Sequence, residues 1–295
     1  MRRVLKWVGI VVGALVGLIV VAAAVLYVKG AMDLSRTMSV PTDHVDVPAD
    51  PDSLARGKEF VTIFCAECHG EDLGGTVMLA DPMIGTIYSA NLTAGQGGAQ
   101  ATFNDDDLVR AIRHGVTPDG HKLIIMPSAA FNHLSREDVG SIIAYLKTLP
   151  PVDHAVPEPS LTLVGDIMLG AGVFGEGIFP ADVIDHNNPF PPMPEIGANP
   201  AYGEYFTRLC RECHGPDLTG GPSTQPGAPP APNLTMTGEL SGWSETDFLR
   251  AIKTGMKPDG HMINAEFMPV EGFGKLPDAE LRGIYMYLHS IPAGQ

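Results

Sequence analysis

All four cysteines of this 295-residue chain belong to two copies of one motif, Cys-x-x-Cys-His. The copies are Cys65-Ala66-Glu67-Cys68-His69 and Cys210-Arg211-Glu212-Cys213-His214. A c-type haem is attached at such a motif, because each thiol forms a thioether with a haem vinyl group and the adjacent histidine can ligate the iron from below the ring. The sequence therefore predicts a chain built around two covalently bound haem c groups.

Three other uses of such cysteines compete with haem attachment. Zinc could take four thiolates from two Cys-x-x-Cys pairs, but it does not need a histidine directly after each pair. A thioredoxin-like redox pair would accompany a βαβ pattern, and neither motif lies in one. A disulfide framework is typical of short secreted chains. Two motifs at equivalent positions of a repeat favour haem over zinc and disulfides.

The N-terminus predicts a membrane anchor. Three basic residues precede an uncharged run of 22 residues, Trp7–Val28, which as a helix at ~1.5 Å per residue is roughly 33 Å long, enough to cross a bilayer. Signal-peptide cores are shorter, so we expect an uncleaved anchor, although alanines 22–24 offer small residues for cleavage. The basic residues predict a cytoplasmic N-terminus and haem domains on the periplasmic side of a bacterial cytoplasmic membrane.

The chain is acidic, with 34 Asp and Glu against 19 Lys and Arg and a formal net charge of −15. A negative surface argues against nucleic acid or anionic lipid as a partner. It favours encounter with a positively charged redox partner, through an attraction that weakens with salt. The alternative interpretation is that the charge only keeps the domain soluble, and composition does not separate the two.

An internal repeat divides the chain. The segment Phe103–His121 aligns with Trp243–His261, and nine of the 19 aligned positions are identical. The triplet Asn91-Leu92-Thr93 recurs as Asn233-Leu234-Thr235. Such similarity predicts a duplicated domain.

Each repeat predicts three helices. The first precedes the haem motif at about 53–64 or 200–209, the second has apolar residues at helical spacing at about 105–114 or 244–254, and the third lies at about 135–148 or 277–290. No stretch alternates convincingly enough for a strand, so the predicted class is all-α. The predicted divisions are a transmembrane anchor at 1–32, a linker at 33–52, a first haem domain at 53–152, a connector at 153–198 and a second haem domain at 199–295.

The connector contains an apolar run, Leu161–Phe179, that is interrupted by Asp166, Glu176 and five glycines. These interruptions argue against a second membrane span. We expect the run to pack along the seam between the two haem domains, and shallow membrane contact stays open.

A haem iron held by one histidine takes a sixth ligand unless it binds a substrate. Methionine is common in electron carriers, because its soft thioether stabilises ferrous iron. Of the 13 methionines, Met126 and Met268 stand out, since each precedes a proline on the loop before its repeat's last helix. Met78, Met83 and Met262 lack methionine counterparts in the other repeat. His121 and His261 do match each other, which leaves a bis-histidine site open.

Other repeated residues are candidates for haem contact. Arg110 and Arg250 could neutralise haem propionates or bind a local carboxylate. We expect Leu92 and Leu234 to pack near the proximal histidine, next to Asn91 and Asn233 of the same triplets. Aromatic pairs at matching positions are expected to pack around the ring: Trp243 with Phe103, and Tyr145 with Tyr287.

These motifs together resemble a known family. Cys-x-x-Cys-His-Gly, Asn-Leu-Thr, Asp-x-x-Arg-Ala-Ile, Pro-Asp-Gly and a final Met-Pro are similar to the membrane-bound multihaem cytochrome c subunits of bacterial alcohol and sugar-acid dehydrogenases, and more broadly to class I cytochrome c domains. The resemblance covers roughly Ser53–Val152 and Asn199–Pro292. It implies two tandem domains with three core helices around each haem, axial ligation by His69 with Met126 and by His214 with Met268, and electron transfer.

The chain departs from that family in two respects. The dehydrogenase subunits typically carry three haem domains, whereas this chain has two. The spacing from Gly57 to Cys65 also exceeds the matching spacing from Gly203 to Cys210 by one residue. The resemblance therefore leaves the identity of a dehydrogenase partner open.

The function expected from these observations is electron transport, without catalytic residues. A membrane-tethered dihaem cytochrome would pass single electrons between redox partners, as a mobile carrier or as a subunit of a respiratory, photosynthetic or dehydrogenase complex. The alternative is a peroxidase-like dihaem enzyme, which needs one iron that substrate can reach. A sulfur-oxidising enzyme with cysteine ligation is disfavoured, because no cysteine is left over.

Overall fold

The computed structural model describes residues 1–221 and 229–292. It opens with a long helix, α1 (Arg2–Ser35), which is exposed over residues 2–22. In this part of the chain α1 is the one helix whose length and composition would suffice to cross a membrane, with a mean hydropathy of 2.9 in its most apolar window.

The first haem domain contains the three predicted helices: α2 (Pro51–Phe60), extended by a π-helical turn at Val61–Cys65 and by α3 (Ala66–His69), then α4 (Asp105–His114), the short α5 (Ser128–Phe131) and α6 (Arg136–Leu146). Local chemistry defines α4. Asn104 and Asp107 form a capping box at its start, and Gly115 ends it with a φ of 64°. That left-handed conformation suits glycine.

The second haem domain repeats this plan with α8 (Pro200–Thr207), α9 (Arg211–His214), α10 (Glu245–Thr254), the short α11 (Val270–Phe273) and α12 (Asp278–Ser290), after the connector helix α7 (Leu163–Gly170). The duplication extends to the caps. Ser244 and Asp247 form the capping box of α10, and Gly255 ends the helix at a φ of 73°. The predicted helices of both repeats are therefore present.

A small antiparallel sheet corrects the all-α prediction. Its strands are β1 (Val77–Asp81), β2 (Gly85–Tyr88) and β3 (Ser160–Leu161), in the order β1-β2-β3. Asp81 makes the hairpin turn, since its carboxylate accepts hydrogen bonds from the backbone N–H groups of Met83 (2.7 Å) and Ile84 (3.0 Å). Strands of two to five residues are too short to show the alternation that predicts a sheet.

The two haem domains share one continuous apolar core. Within each domain the first and last helices touch at a glycine: a Cβ on Gly57 would lie 1.9 Å from the Ser141 carbonyl oxygen, and one on Gly203 would lie 2.0 Å from that of Gly283. Across the domains the rings of Phe60 and Phe206 are 6.4 Å apart. The domains therefore hold one another in a defined orientation.

The apolar run of the connector, Leu161–Phe179, does not pack along this seam as predicted. Its helix α7 packs against the C-terminal part of α1, and a Cβ on Gly170 would lie 1.9 Å from the Leu26 carbonyl oxygen. Near the seam, the connector contributes Met193, whose sulfur accepts a hydrogen bond from the Ser135 hydroxyl. The glycines that interrupt the apolar run explain the difference, because they allow α7 to approach the backbone of α1.

Candidate haem sites

Each haem motif opens onto an apolar cavity. The first cavity, of about 200 Å³, has Cys65, Cys68 and His69 in its wall, and the second, of about 580 Å³, has Cys210, Cys213 and His214. Apolar side chains complete each wall, including Leu92, Phe103, Leu108 and Ile112 in the first and Leu234, Trp243, Phe248 and Ile252 in the second. A flat, largely apolar ring fits such a wall better than a hydrated ion does.

A backbone carbonyl orients each histidine of the motifs. Nδ1 of His69 lies 2.7 Å from the Ala90 oxygen, and Nδ1 of His214 lies 2.9 Å from the Pro232 oxygen. Because a carbonyl only accepts hydrogen bonds, Nδ1 carries the proton and Nε2 keeps its lone pair. An imidazole held in this way is prepared to bind a metal through Nε2.

Burial favours the neutral forms of these groups. It lowers the pKa of His69 and His214, against the opposing effect of their hydrogen bonds to the carbonyls, so both imidazoles stay neutral, as a ligand must. Burial, with a smaller contribution from the neighbouring cysteine, raises the pKa of Cys65 and of Cys210 to about 12.

No cluster of three or more His, Cys, Asp or Glu side chains arranged to hold a metal ion occurs in the described ranges, 1–221 and 229–292. The zinc alternative would need such a cluster. A haem needs only axial side chains, since its ring supplies the other four ligands.

The two methionines from the Met-Pro pairs lie in these cavities. Met126 lines the first and Met268 lines the second. The turns that carry them match, because the N–H of Ser128 donates to the Met126 oxygen and the N–H of Val270 to the Met268 oxygen, both at 2.7 Å. Each cavity thus brings two thiols and one imidazole together with the thioether of its Met-Pro pair.

The rival ligands fall into two groups. Met78 and Met262 also line the first and second cavity, respectively, while the wall of neither cavity includes Met83. His121 and His261 lie outside the walls, and each bonds through Nδ1 to the aspartate two residues before it, at 3.0 and 3.1 Å. The placement therefore favours methionine over histidine as the second side chain at each site.

Comparison with known proteins agrees with this chemistry. Residues 52–146 match the family model described as cytochrome c oxidase, cbb3-type, subunit III, and residues 203–292 match the model described as cytochrome c. The chain carries two cytochrome c domains. Their cofactors are two covalently bound haem c groups, and their role is to carry electrons.

Curated relatives are of two kinds. The chain is 29% identical over 280 residues to the fructose dehydrogenase cytochrome subunit of Gluconobacter japonicus, covering 86% of this chain and 55% of that protein. It is 28% identical over 259 residues to the alcohol dehydrogenase (quinone) cytochrome c subunit of Gluconacetobacter polyoxogenes, covering 77% and 53%. It is 27% identical over 299 residues to a dihaem cytochrome c-type protein of Cereibacter sphaeroides, covering 92% and 96%.

The chain spans about half the length of the two dehydrogenase subunits and nearly all of the dihaem cytochrome. Its two-domain organisation therefore corresponds in length to the dihaem protein.

The repeated asparagines shape the loop that orients each histidine. In the first cytochrome c domain the Asn91 side-chain oxygen accepts from the N–H (2.9 Å) and hydroxyl (2.8 Å) of Thr93, and its amide donates to the Val152 oxygen at 2.7 Å. In the second domain Asn233 accepts from the N–H of Thr235 at 2.7 Å. Neither asparagine lines a cavity. The sequence did not identify the carbonyls of Ala90 and Pro232 as histidine partners, although each directly precedes the repeated triplet.

Arg110 and Arg250 lie outside both cavity walls. Arg110 binds Asp107 at 2.5 Å and Arg250 binds Asp247 at 2.9 Å, and these aspartates are the carboxylates of the two capping boxes. This arrangement favours the local-carboxylate interpretation over propionate binding.

Of the two predicted aromatic pairs, one lines the cavities and the other lies at the helix crossings. Phe103 and Trp243 line the cavities, as expected of rings that pack around haem. Tyr145 and Tyr287 do not. Their Cβ atoms lie within 2.9 and 2.7 Å of where a Cβ on Gly57 or Gly203 would be, so they pack at the helix crossings.

One wall separates the two cavities. Phe64, Pro127 and Phe131 line both of them. The rings of Phe64 and Phe131 meet edge to face at 6.1 Å, and Phe64 meets Phe273 of the second domain in the same way at 5.5 Å. The partition between the two haem sites is therefore about one side chain thick. The sequence does not indicate this wall, because the counterpart of Phe64 in the second repeat is Leu209 and no local pattern shows how the domains face each other.

Proposed function

We propose that this protein is a membrane-tethered dihaem electron carrier in which both haems have histidine and methionine ligands. The observation that carries the proposal is the shared wall: two cavities, each with a complete set of thiols, imidazole and thioether, meet at Phe64 and Phe131. Two sites that share a wall form one path for electrons. Each haem supplies an iron that alternates between ferric and ferrous states.

The chain's own residues hold this path in place. His69 with Met126 would hold one iron, and His214 with Met268 would hold the other. Nδ1 of each histidine is hydrogen-bonded to a carbonyl, which leaves Nε2 available as the ligand atom. The apolar walls keep water away, which favours the less charged ferrous state. An iron bound by both a histidine and a methionine would have no position left for peroxide. We propose domain limits of 53–152 and 199–295, which enclose most of the matched segments.

We further propose that α1 anchors the protein in the bacterial cytoplasmic membrane, with its N-terminus in the cytoplasm and both haem domains on the periplasmic side. The basic residues before the apolar run support this orientation. The relatives from fructose and alcohol dehydrogenases support a partner of the dehydrogenase class. A net charge of −15 favours a partner with a basic docking face.

The ligand assignment can be tested on the full chain purified in mild detergent. We expect Met126→Ala and Met268→Ala each to remove the methionine–iron charge-transfer absorbance of one ferric haem and to let that ferrous haem bind carbon monoxide. The matched controls are Met78→Ala and Met262→Ala, which remove a methionine from the same cavities and should change neither signal.

Rapid binding of carbon monoxide by one haem of the unaltered protein, together with consumption of peroxide, would instead support the dihaem enzyme. Co-purification from native membranes tests the partner. A dehydrogenase that dissociates at high salt is the expected result, and its absence from every preparation would contradict the proposed complex.

A further inference from the structure

Two glycines bring α1 and α7 into backbone contact. A Cβ on Gly30 would lie 1.9 Å from the Asp166 oxygen, and a Cβ on Gly170 would lie 1.9 Å from the Leu26 oxygen. Because the earlier residue of α1 faces the later residue of α7, the helices run antiparallel. Small residues that permit such close approach are typical of helix pairs in membranes.

The contact sets the level of α7 along the anchor. The apolar run of α1 ends at Val28 and is followed by Lys29. Gly170 is level with Leu26, which lies ~3 Å inside the run at ~1.5 Å per residue. Asp166 is level with Gly30, just beyond the end of the run. The charged residues Lys29 and Asp166 thus stand at nearly the same level on the two helices.

Beyond Asp166 the chain continues toward the membrane-spanning part of α1. The segment Ile167–Gly175, here termed the connector tip, has nine residues and no charge. It turns back through Gly172 and Gly175, which have φ angles of 72° and 79°. A Cβ on either glycine would meet no atom within 4 Å, and Val173 is 60% exposed. The turn at the end of the connector tip therefore projects from the protein, with the side chain of Val173 uncovered.

The anchor shows how far the protein cover extends. Ala23, one helical turn before Leu26, is half-buried, whereas residues 1–22 are all exposed. The cover of α1 thus ends inside the apolar run, at about the level that the connector tip reaches.

We infer that the connector tip lies in the outer layer of the bilayer beside α1, as a second and shallow lipid contact. The inference rests on the proposed membrane anchor. Lipid is the occupant that the geometry favours, because the exposed apolar tip is continuous with the apolar run of α1 and level with its end. The charge of Asp166 at the start of the tip limits how deep the tip enters the bilayer. Because the chain carries a net negative charge, it is not attracted to anionic headgroups, and the contact depends on the apolar side chains alone.

A second contact has a functional consequence. A protein held by one helix can turn about that helix, whereas two contacts restrict the rotation. Both haem domains then present the same face along the membrane, where a membrane-bound redox partner would meet them.

The test uses the full haem-loaded chain in phosphatidylcholine vesicles that contain a phospholipid with a diazirine on its acyl chain. After photolysis and proteolysis, mass spectrometry locates the lipid adducts. We expect adducts on α1 and on the connector tip. Val173→Asp should reduce the adducts on the tip several-fold, while Leu163→Asp should leave them unchanged. Leu163 is a matched control, since it is apolar, 63% exposed and at the opposite end of α7. Unchanged haem spectra would show that both variants fold.

Adducts on α1 serve as the internal reference. If α1 carries none, the proposed anchor fails, and the inference fails with it. If α1 is labelled and the tip is not, the anchor stands and the lipid contact is refuted. Equal labelling of the tip in Val173→Asp and the unaltered protein would also refute it. If the tip carries no lipid adducts and instead cross-links to a second copy of the chain, the surface is a dimer contact and the lipid proposal is refuted.

Discussion

Replacing Arg56 should destabilise both cytochrome c domains together. Arg56 is 9% exposed and lies in α2 of the first domain. Its guanidinium donates to Asp138 of the same domain and to Glu280 of the second domain, both at 2.9 Å. Asp138 and Glu280 are 1% and 4% exposed, so Arg56→Leu would leave two buried carboxylates without their cation.

The size of the effect follows from burial. Removing one partner of a buried ion pair costs about 3–5 kcal/mol, because the remaining charge stays desolvated and uncompensated. Tyr205 still donates to Asp138 at 2.5 Å, which favours the lower half of that range. Arg250→Leu is the matched control: its side chain is 44% exposed and pairs with Asp247, and a pair of this kind contributes about 0–1 kcal/mol.

The assay is denaturant unfolding of the haem-loaded protein, followed both by helical circular dichroism and by haem absorbance. For Arg56→Leu we expect the free energy of unfolding to fall by about 3 kcal/mol and the two domains to lose their common transition. The reasoning is refuted if Arg56→Leu and Arg250→Leu lose the same amount, or if the unfolding curve of Arg56→Leu keeps the shape and midpoint of the unaltered protein.

Three further changes have defined outcomes. Burial and, to a smaller extent, repulsion from Glu280 raise the pKa of Glu59 to about 7, although Glu59 pairs with Arg56. Between the two pKa values the folded protein keeps a proton that the unfolded chain releases, so the free energy of unfolding falls as pH rises toward 7. Glutamine has no proton to lose. Relative to the unaltered protein, Glu59→Gln should therefore be more stabilised at about pH 8 than at about pH 5, as measured by denaturant unfolding. Phe64→Ala should slow electron exchange between the haems in flash-reduction kinetics relative to Phe64→Leu, and equal rates would show that the ring does not contribute. Gly57→Ala places a Cβ 1.9 Å from a carbonyl oxygen and should destabilise by about 1–3 kcal/mol in denaturant unfolding, whereas Gly177→Ala meets no atom within 4 Å and should have little effect.

The sequence predicted those parts of the fold that depend on interactions between residues close together in the chain. The capping boxes at Asn104 and Ser244 and the left-handed glycines at 115 and 255 define α4 and α10 over a few residues each. The haem motif is likewise contiguous, and duplication made each signal visible twice. The sheet was missed because its strands pair Gly85 with Leu161, far apart in the chain and too short for a pattern.

The candidate sites divide in the same way. Sequence pointed to the thiols, the histidines and the Met-Pro pairs, and all of them line the cavities. It did not point to the Ala90 and Pro232 carbonyls, because any residue can present a backbone oxygen. It left the roles of Arg110 and Arg250 open, since a guanidinium suits a propionate and an aspartate equally well.

By itself, the sequence determined that this protein holds two haem c groups in duplicated domains behind an apolar N-terminal helix, because covalent attachment and helix capping depend on neighbouring residues. Only the tertiary structure decided how the parts face one another. Phe64 lies in a wall shared by both cavities, Arg56 binds carboxylates of both domains, and Gly170 packs against α1. Each of these results from packing between segments distant in the chain, where shape and burial select the partner and no local pattern records the choice.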